Sequence, residues 1–458
     1  MPDGFVSGAG VDPNGLTFVY TVIGIRVHPG FIHYMQPFYP VEYGSENSTW
    51  FPDTACRRLF IFMEQPNMRT ESGKISIAVV SHLFPTLSRP ILGIFVREEL
   101  DHLAEHVEIR LCAPLHNQYW FKRGWRIPET GRYPVIRPFV LAFPRWFLQH
   151  HYPASMALTL GRNRSFFEGC SLIHAHNAFP DGVAAFRAFG AEKPVVVTVH
   201  GSDVNHFAMK PALRPAIVQA LNQSAGIISV SRSLAETLRS IGVNTNIDII
   251  PNGFDPDMFS PGDRTEACVS LGLNPDRPRV LFVGNFERNK GIEYLIEAMP
   301  RVLERCHDCE LVILGAEPAT GDTIRYRDTI AAAGVGNAVV IAKKVPHEAL
   351  PPWIRASDLL VLPSIREGFG IVLVEALACG KPVVATASGG PQDIVEDGLG
   401  VLVPPGDSGA LGEGILQVLE GRGIAGSHAL RDSVVRRFSF PGVIQRIVDV
   451  YRVILGKE

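Results

Sequence analysis

The stretch Glu367-Gly368-Phe369-Gly370-Ile371-Val372-Leu373-Val374-Glu375 puts two carboxylates, two glycines and an apolar run into nine residues. It follows the apolar run Leu359–Leu362 and the turn residues Pro363-Ser364, so it reads as a passage from strand into helix. Gly368 and Gly370 let the main chain come close to a ligand. A helix starting about Phe369 would aim its unpaired N–H groups at the end of the strand, a natural seat for a diphosphate. The ligand-facing main chain would then run through Gly368, Phe369, Gly370, Ile371 and Val372. Glu375 falls about one and a half turns into that helix, and Glu367 sits in the loop before it. One carboxylate would accept hydrogen bonds from a ribose, the other from a sugar. A second loop, Gly284-Asn285-Phe286-Glu287-Arg288-Asn289-Lys290-Gly291, joins another strand to another helix and turns its cations toward the same crevice. A third group, His200-Gly201-Ser202-Asp203, closes the apolar run Val195–Val199. It lies at the carboxyl end of a strand, where open α/β sheets bind ligands.

These loops need strands to carry them, and the chain has a regular supply. Apolar runs recur at Ile75–Ser81, Val107–Pro114, Leu172–Ala175, Val195–His200, Ile227–Val230 and Ile247–Ile250. A second series follows at Val280–Val283, Leu311–Leu314, Ala338–Ile341, Leu359–Leu362, Val383–Ala385 and Val401–Val403. Amphipathic stretches such as Ile292–Leu303 separate them. Continuous apolar strands alternating with helices predict α/β architecture, with parallel sheets covered on both faces. Two sets of about six strands predict two doubly wound, Rossmann-like domains. The turn cluster Pro251-Asn252-Gly253 marks the break, giving domains at 73–250 and 251–440. A last helix, about Val443 to Leu455, occupies 441–458. Residues 1–72 show no sustained period and read as a poorly ordered extension, with a functional start expected near Met63 or Met68.

Ser364 to Asp407 resembles the retaining glycosyltransferases of the GT-B fold, in particular the large family 4, also called glycosyl transferases group 1. The pair Glu367 and Glu375 matches its two spaced glutamates. Gly380-Lys381-Pro382-Val383-Val384-Ala385-Thr386, Ser388-Gly389-Gly390 and Gly400-Val401-Leu402-Val403-Pro404-Pro405-Gly406-Asp407 fit its downstream pattern. The resemblance covers roughly residues 74–455. It implies two Rossmann-like halves facing a cleft, with the acceptor on the first, the nucleotide-sugar donor on the second and the last helix returning to the first. It implies hexose transfer to a hydroxyl with retention, without a carboxylate nucleophile. A basic pair in the 284–291 loop would neutralise the leaving diphosphate. Lys290 matches its lysine; Asn285 stands where arginine is usual, with Arg288 as the substitute. His200 and Asp203 would lie near the transferred sugar and the acceptor, and His200, Lys290 and Glu367 would be catalytic. Gly93, after Ser88-Arg89-Pro90-Ile91-Leu92, matches the glycine loop of the first half. The main chain at Val345 would meet the nucleobase, although Lys344 stands where glycine is common.

Other features bound the partners. A net charge of −3 argues against a broad nucleic-acid-binding surface. No apolar run is long enough to span a bilayer, the start lacks a basic leader, and seven scattered cysteines read as reduced thiols. A cytoplasmic enzyme is expected. Residues 119–147 mix aromatic and basic side chains with one acid, Glu129, a composition suited to peripheral contact with an anionic membrane face. A lipid-linked or saccharide acceptor in polysaccharide or glycolipid synthesis would fit. No metal or cofactor is expected. Asp255-Pro256-Asp257 reads as a connector rather than a metal motif, and Cys306-His307-Asp308-Cys309 as a loop. A sugar-nucleotide epimerase on the same fold and a catalytically idle partner subunit remain alternatives. Neither GxSxG nor GxxxxGK[ST] occurs, which disfavours a hydrolase or P-loop NTPase.

Overall fold

The structure, a computed structural model, describes residues 74–87, 89–116, 132–141, 151–316 and 321–457, together with the backbone of two early strands. Ser88, most of the 119–147 stretch, Met63 and Met68 lie outside the described residues. The two early strands, β1 (Phe5–Val11) and β2 (Thr17–Ile23), pair antiparallel within a separate unit that ends at Arg69.

Residues 70–458 form one compact unit containing two parallel sheets. The first is built from β3 (Ser76–Val80), β4 (Glu108–Cys112), β6 (Val135–Ile136), β8 (Leu172–His176), β9 (Val195–Val199), β10 (Gly226–Ser229) and β11 (Ile247–Ile249). Between them β5 (Leu115–His116) and β7 (Phe139–Val140) form a small parallel pair. The spatial order is β11-β10-β9-β8-β3-β4-β6. The seventh strand, β6, has only two residues and no apolar run, so no pattern announced it. The second sheet, β12 (Arg279–Val283) to β17 (Gly400–Val403), has the order β14-β13-β12-β15-β16-β17. It includes β13 (Glu310–Ala316), β14 (Val339–Lys343), β15 (Leu359–Leu362) and β16 (Val383–Thr386). Every residue of β3, β8, β9, β15 and β16 is buried, as expected for parallel strands covered on both faces.

Each sheet reverses its winding once, between β3 and β8 in the first and between β12 and β15 in the second. Ligands of doubly wound sheets bind at such switch points. The 284–291 loop leaves β12 and the 363–370 loop leaves β15, so the second switch point carries both. The last helix runs from Phe440 to Leu455, three residues longer at its start than the apolar pattern indicated, because Pro441 fits the first helical turn. It packs Phe440, Val443, Ile444, Ile447, Val448 and Tyr451 against the first sheet's Ile77 and Val79 and against Leu100.

Candidate active site

The helix after Glu367 begins at Ile371, not at Phe369. Phe369 turns inward and stacks edge-on against Phe438, with ring centroids 5.6 Å apart. Gly370 then takes a left-handed conformation (φ 92°) that stops the helix from extending backward. Phe369 therefore offers a ligand only its main chain. The freed N–H groups belong to the first turn after Gly370, which includes Ile371 and Val372.

Lys290 reaches across to this loop. Its Nζ lies 2.7 Å from Glu367 Oε2, which also accepts from Ser364 Oγ at 3.0 Å. Glu367 Oε1 accepts from the Gly368 N–H at 3.1 Å. The loops are fastened by the Ile365 N–H on Asn289 O (2.8 Å) and by Gly291, where an added Cβ would stand 2.1 Å from Pro363 O. Behind Glu367, its N–H donates to Ser388 O and its carbonyl accepts from the Gly390 N–H, both at 3.0 Å. The ammonium, the carboxylate and the helix entry thus share one place.

Gly284 keeps the chain close to β13, its N–H donating to Leu314 O at 3.1 Å. Arg288 is exposed on the short turn Arg288–Lys290. The contact at Asn285 comes from elsewhere: Lys344 Nζ donates to Asn285 Oδ1 at 2.9 Å. Two residues that depart from the family pattern therefore touch, and Lys344 carries a cation to the position where arginine is usual. Val345 is half-buried against the core beside it.

The first sheet meets the second at the His200 loop. An added Cβ on Gly368 would lie 2.2 Å from His200 O and 2.9 Å from Gly201 Cα. This is main chain against main chain. The His200 ring faces inward: its Nε2 is 3.1 Å from His176 Nδ1, and Phe95 lies against its face at 4.7 Å. Its Nδ1 is buried and has no hydrogen-bond partner among the described residues. Burial pushes the imidazole down to about 3, so His200 stays neutral. Asp203 is turned toward main chain. Its buried carboxylate accepts main-chain N–H bonds from Ala178, His200, Gly201 and Val204, at 2.8 to 3.2 Å. Four donors to two oxygens leave it to shape the loop. Gly93 (φ 70°) also answers to its own domain, since a Cβ there would meet Leu83 O at 2.3 Å. Asp255 caps its own turn through the N–H groups of Asp257 and Met258.

Glu375 is buried in the helix and accepts from His347 Nε2 at 2.7 Å, while His347 Nδ1 lies 2.6 Å from Glu98 Oε1. Burial lowers the tendency of His347 to hold its proton, but the two carboxylates outweigh it and push the imidazole up to about 11. His347 and Glu98 escaped the sequence reading, although His347 stands only two residues beyond Val345.

Beneath His200 lies a second buried group. His176 Nε2 is 3.7 Å from Glu99 Oε1, and His174 is bonded to Thr198 Oγ1 and Tyr451 Oη, each at 2.7 Å. Burial pushes the Glu99 carboxyl up to about 8 and His174 down to about 3. The cluster is therefore neutral. Stability from the raised Glu99 is full below its ordinary value of 4.5 and falls as pH rises toward 8. Stability from His174 and His200 is full above 6.5 and falls as pH drops toward 3. Glu99→Gln should accordingly gain over the wild type on going from pH 5 to pH 8, by about 5 °C in Tm. A Tm difference independent of pH would refute an uncharged Glu99.

Comparison with known proteins accords with this geometry. The family model described as Glycosyltransferase Family 4 matches residues 92–258, and that described as Glycosyl transferases group 1 matches 263–433. An uncharacterized glycosyltransferase of Methanocaldococcus jannaschii is 31% identical over 299 residues, covering 62% of this chain and 75% of the relative. Sucrose-phosphate synthase from Thermosynechococcus elongatus superposes with a TM-score of 0.72 at 24% identity, covering 84% of this chain and all of that one. Anabaena HepE, solved with UDP and glucose, superposes with a TM-score of 0.65 at 20% identity, covering 83% of this chain and all of that one. The chain belongs to the family 4 glycosyltransferases, on the GT-B fold.

Proposed function

We propose that this protein transfers a hexose-type sugar from a nucleoside diphosphate sugar to a hydroxyl acceptor with retention of configuration. The observation that carries this reading is the meeting of Lys290 and Glu367 at the second sheet's switch point, 2.7 Å apart, at the entry to the helix that begins at Ile371. As the sugar–phosphate bond lengthens, the anomeric carbon gains oxocarbenium character and negative charge gathers on the departing diphosphate. Lys290 and the N–H groups after Gly370 stabilise that charge, with Lys344 adding a second cation through Asn285. Glu367 takes the sugar hydroxyls, Glu375 the ribose, and the main chain at Val345 the base. The departing phosphate oxygen accepts the acceptor's hydroxyl proton as the new glycosidic bond forms on the same face. His200, neutral and enclosed, is assigned to the acceptor side, and Asp203 to holding its loop.

We assign no metal to this reaction. A thermal-shift screen with UDP-, GDP- and ADP-sugars in excess EDTA tests donor class and metal independence together. One donor class at 100 times its Kd should stabilise the fold by about 2.7 kcal/mol. No shift with any of the three, or a shift only with Mg²⁺ or Mn²⁺, contradicts the reading. UDP-sugars go first in that screen, because the similar HepE was also solved with UDP-glucose.

For the acceptor we propose a saccharide or lipid-linked chain in polysaccharide or glycolipid synthesis, used at the inner membrane face. The support is the aromatic and basic composition of 119–147 and the exposure of Phe139 and Leu141. Among the described residues no helix is long and apolar enough to cross a membrane. Anionic vesicles that fail to sediment the protein would remove peripheral contact from this reading.

A further inference from the structure

We propose that His347 is a positioning residue that holds the Glu375 carboxylate in place for the donor ribose and ties it to the first sheet's domain through Glu98. The proposal rests on the assignment of Glu375 to the ribose hydroxyls. Both ring nitrogens of His347 face carboxylate oxygens, Nδ1 at 2.6 Å from Glu98 Oε1 and Nε2 at 2.7 Å from Glu375 Oε1. Two acceptors flanking one ring require both nitrogens to carry protons, which makes His347 an imidazolium bridge. The His347 side chain is 14% exposed and that of Glu375 4%, so the contact is shielded from water. Phe259 lies against the ring at 5.2 Å.

The two ends of this bridge belong to different sheets. Glu98 lies on the helix Ile94–Leu103, which also places Phe95 against His200. His347 follows β14, and Glu375 is in the helix after β15. Among the described residues, the side-chain hydrogen bond of Glu375 runs through Oε1, which leaves Oε2 to a ligand hydroxyl. The His347 ring holds Oε1 in place and so fixes how Oε2 is presented. His347 keeps Glu375 paired and oriented, while Glu98 makes that orientation depend on the two halves being together.

The experiment measures binding of UDP, GDP and ADP, and of their 2′,3′-dideoxy forms, by calorimetry. It is read on whichever base binds tightest to the wild type. Removing the ribose hydroxyls should weaken wild-type binding about tenfold, the scale of a lost charged hydrogen bond. In His347→Ala the ribose form should weaken by about the same factor while the dideoxy form hardly changes, so the preference disappears. Adding His347→Ala to Glu375→Ala should then cost less than about twofold, because one acts through the other. Glu98→Ala should show a smaller loss of the same preference, and His347→Gln, which keeps one N–H, should restore part of it. If His347→Ala does not fold, His347→Gln and Glu98→Ala decide: unchanged ribose preference in both overturns the proposal. Equal weakening of ribose and dideoxy forms by His347→Ala overturns it too, since that marks a general structural role. If Glu375→Ala itself leaves the preference intact, the ribose assignment has failed, a result distinguishable from failure of the bridge.

Discussion

Lys290→Ala is expected to lower kcat by about 10²–10³-fold, with a much smaller effect on donor affinity. The lysine is already aimed in the free protein: its ammonium rests 2.7 Å from Glu367, and the neighbouring Asn289 carbonyl accepts from the Ile365 N–H. A cation held ready beside the reacting bond needs no reorganisation when charge develops on the leaving diphosphate. On the proposed reading the helix entry and Lys344 also hold the ground-state diphosphate, so affinity should suffer less than turnover. Lys290→Arg keeps the charge but exchanges a compact ammonium for a planar fork, and should recover only part of the rate. Single-turnover kinetics with the donor found by the screen separates the two quantities. A kcat within about threefold of wild type in Lys290→Ala would remove the lysine from the chemistry.

Gly368→Ala should cost about 10²-fold in kcat/KM, the scale expected when reacting groups are displaced by about 1 Å. The added methyl would stand 2.2 Å from His200 O and 2.9 Å from Gly201 Cα. These are main-chain atoms that no rotamer change can move aside. The 200–203 loop is further pinned by Asp203 through four N–H bonds, so the strain should be relieved by parting the two halves. Tm should change little, because the methyl falls at the contact between halves rather than inside either sheet. Steady-state kinetics read the activity, and small-angle scattering reads the separation as a larger radius of gyration. Wild-type kinetics in a folded Gly368→Ala protein would show that this close approach is not needed for turnover.

Much of this molecule is visible in local patterns. Runs such as Val195–Val199 and Leu359–Leu362 are apolar throughout because parallel strands are covered on both faces, and all of their residues are buried. Six strands in each half follow from such runs alone, whereas the two-residue β6 leaves no periodic trace. Glycines at 368 and 370 marked a close approach and a helix entry, because only glycine accepts those backbone demands without cost. The entry itself moved by two residues, since the burial of Phe369 against Phe438 is a long-range preference that helix periodicity does not contain.

What the sequence by itself determined is the pair of doubly wound sheets and the identity of the loops at their carboxyl ends, because these depend on hydrophobic period and turn chemistry over a few residues. Tertiary structure alone decided which side chains in those loops meet. Asp203 turned out to be consumed by main-chain donors, Lys344 came to Asn285, and His347 found Glu98, 249 positions away. A polar contact between groups so far apart in the chain depends on the relative placement of two independently formed sheets, a quantity to which no short pattern of residues refers.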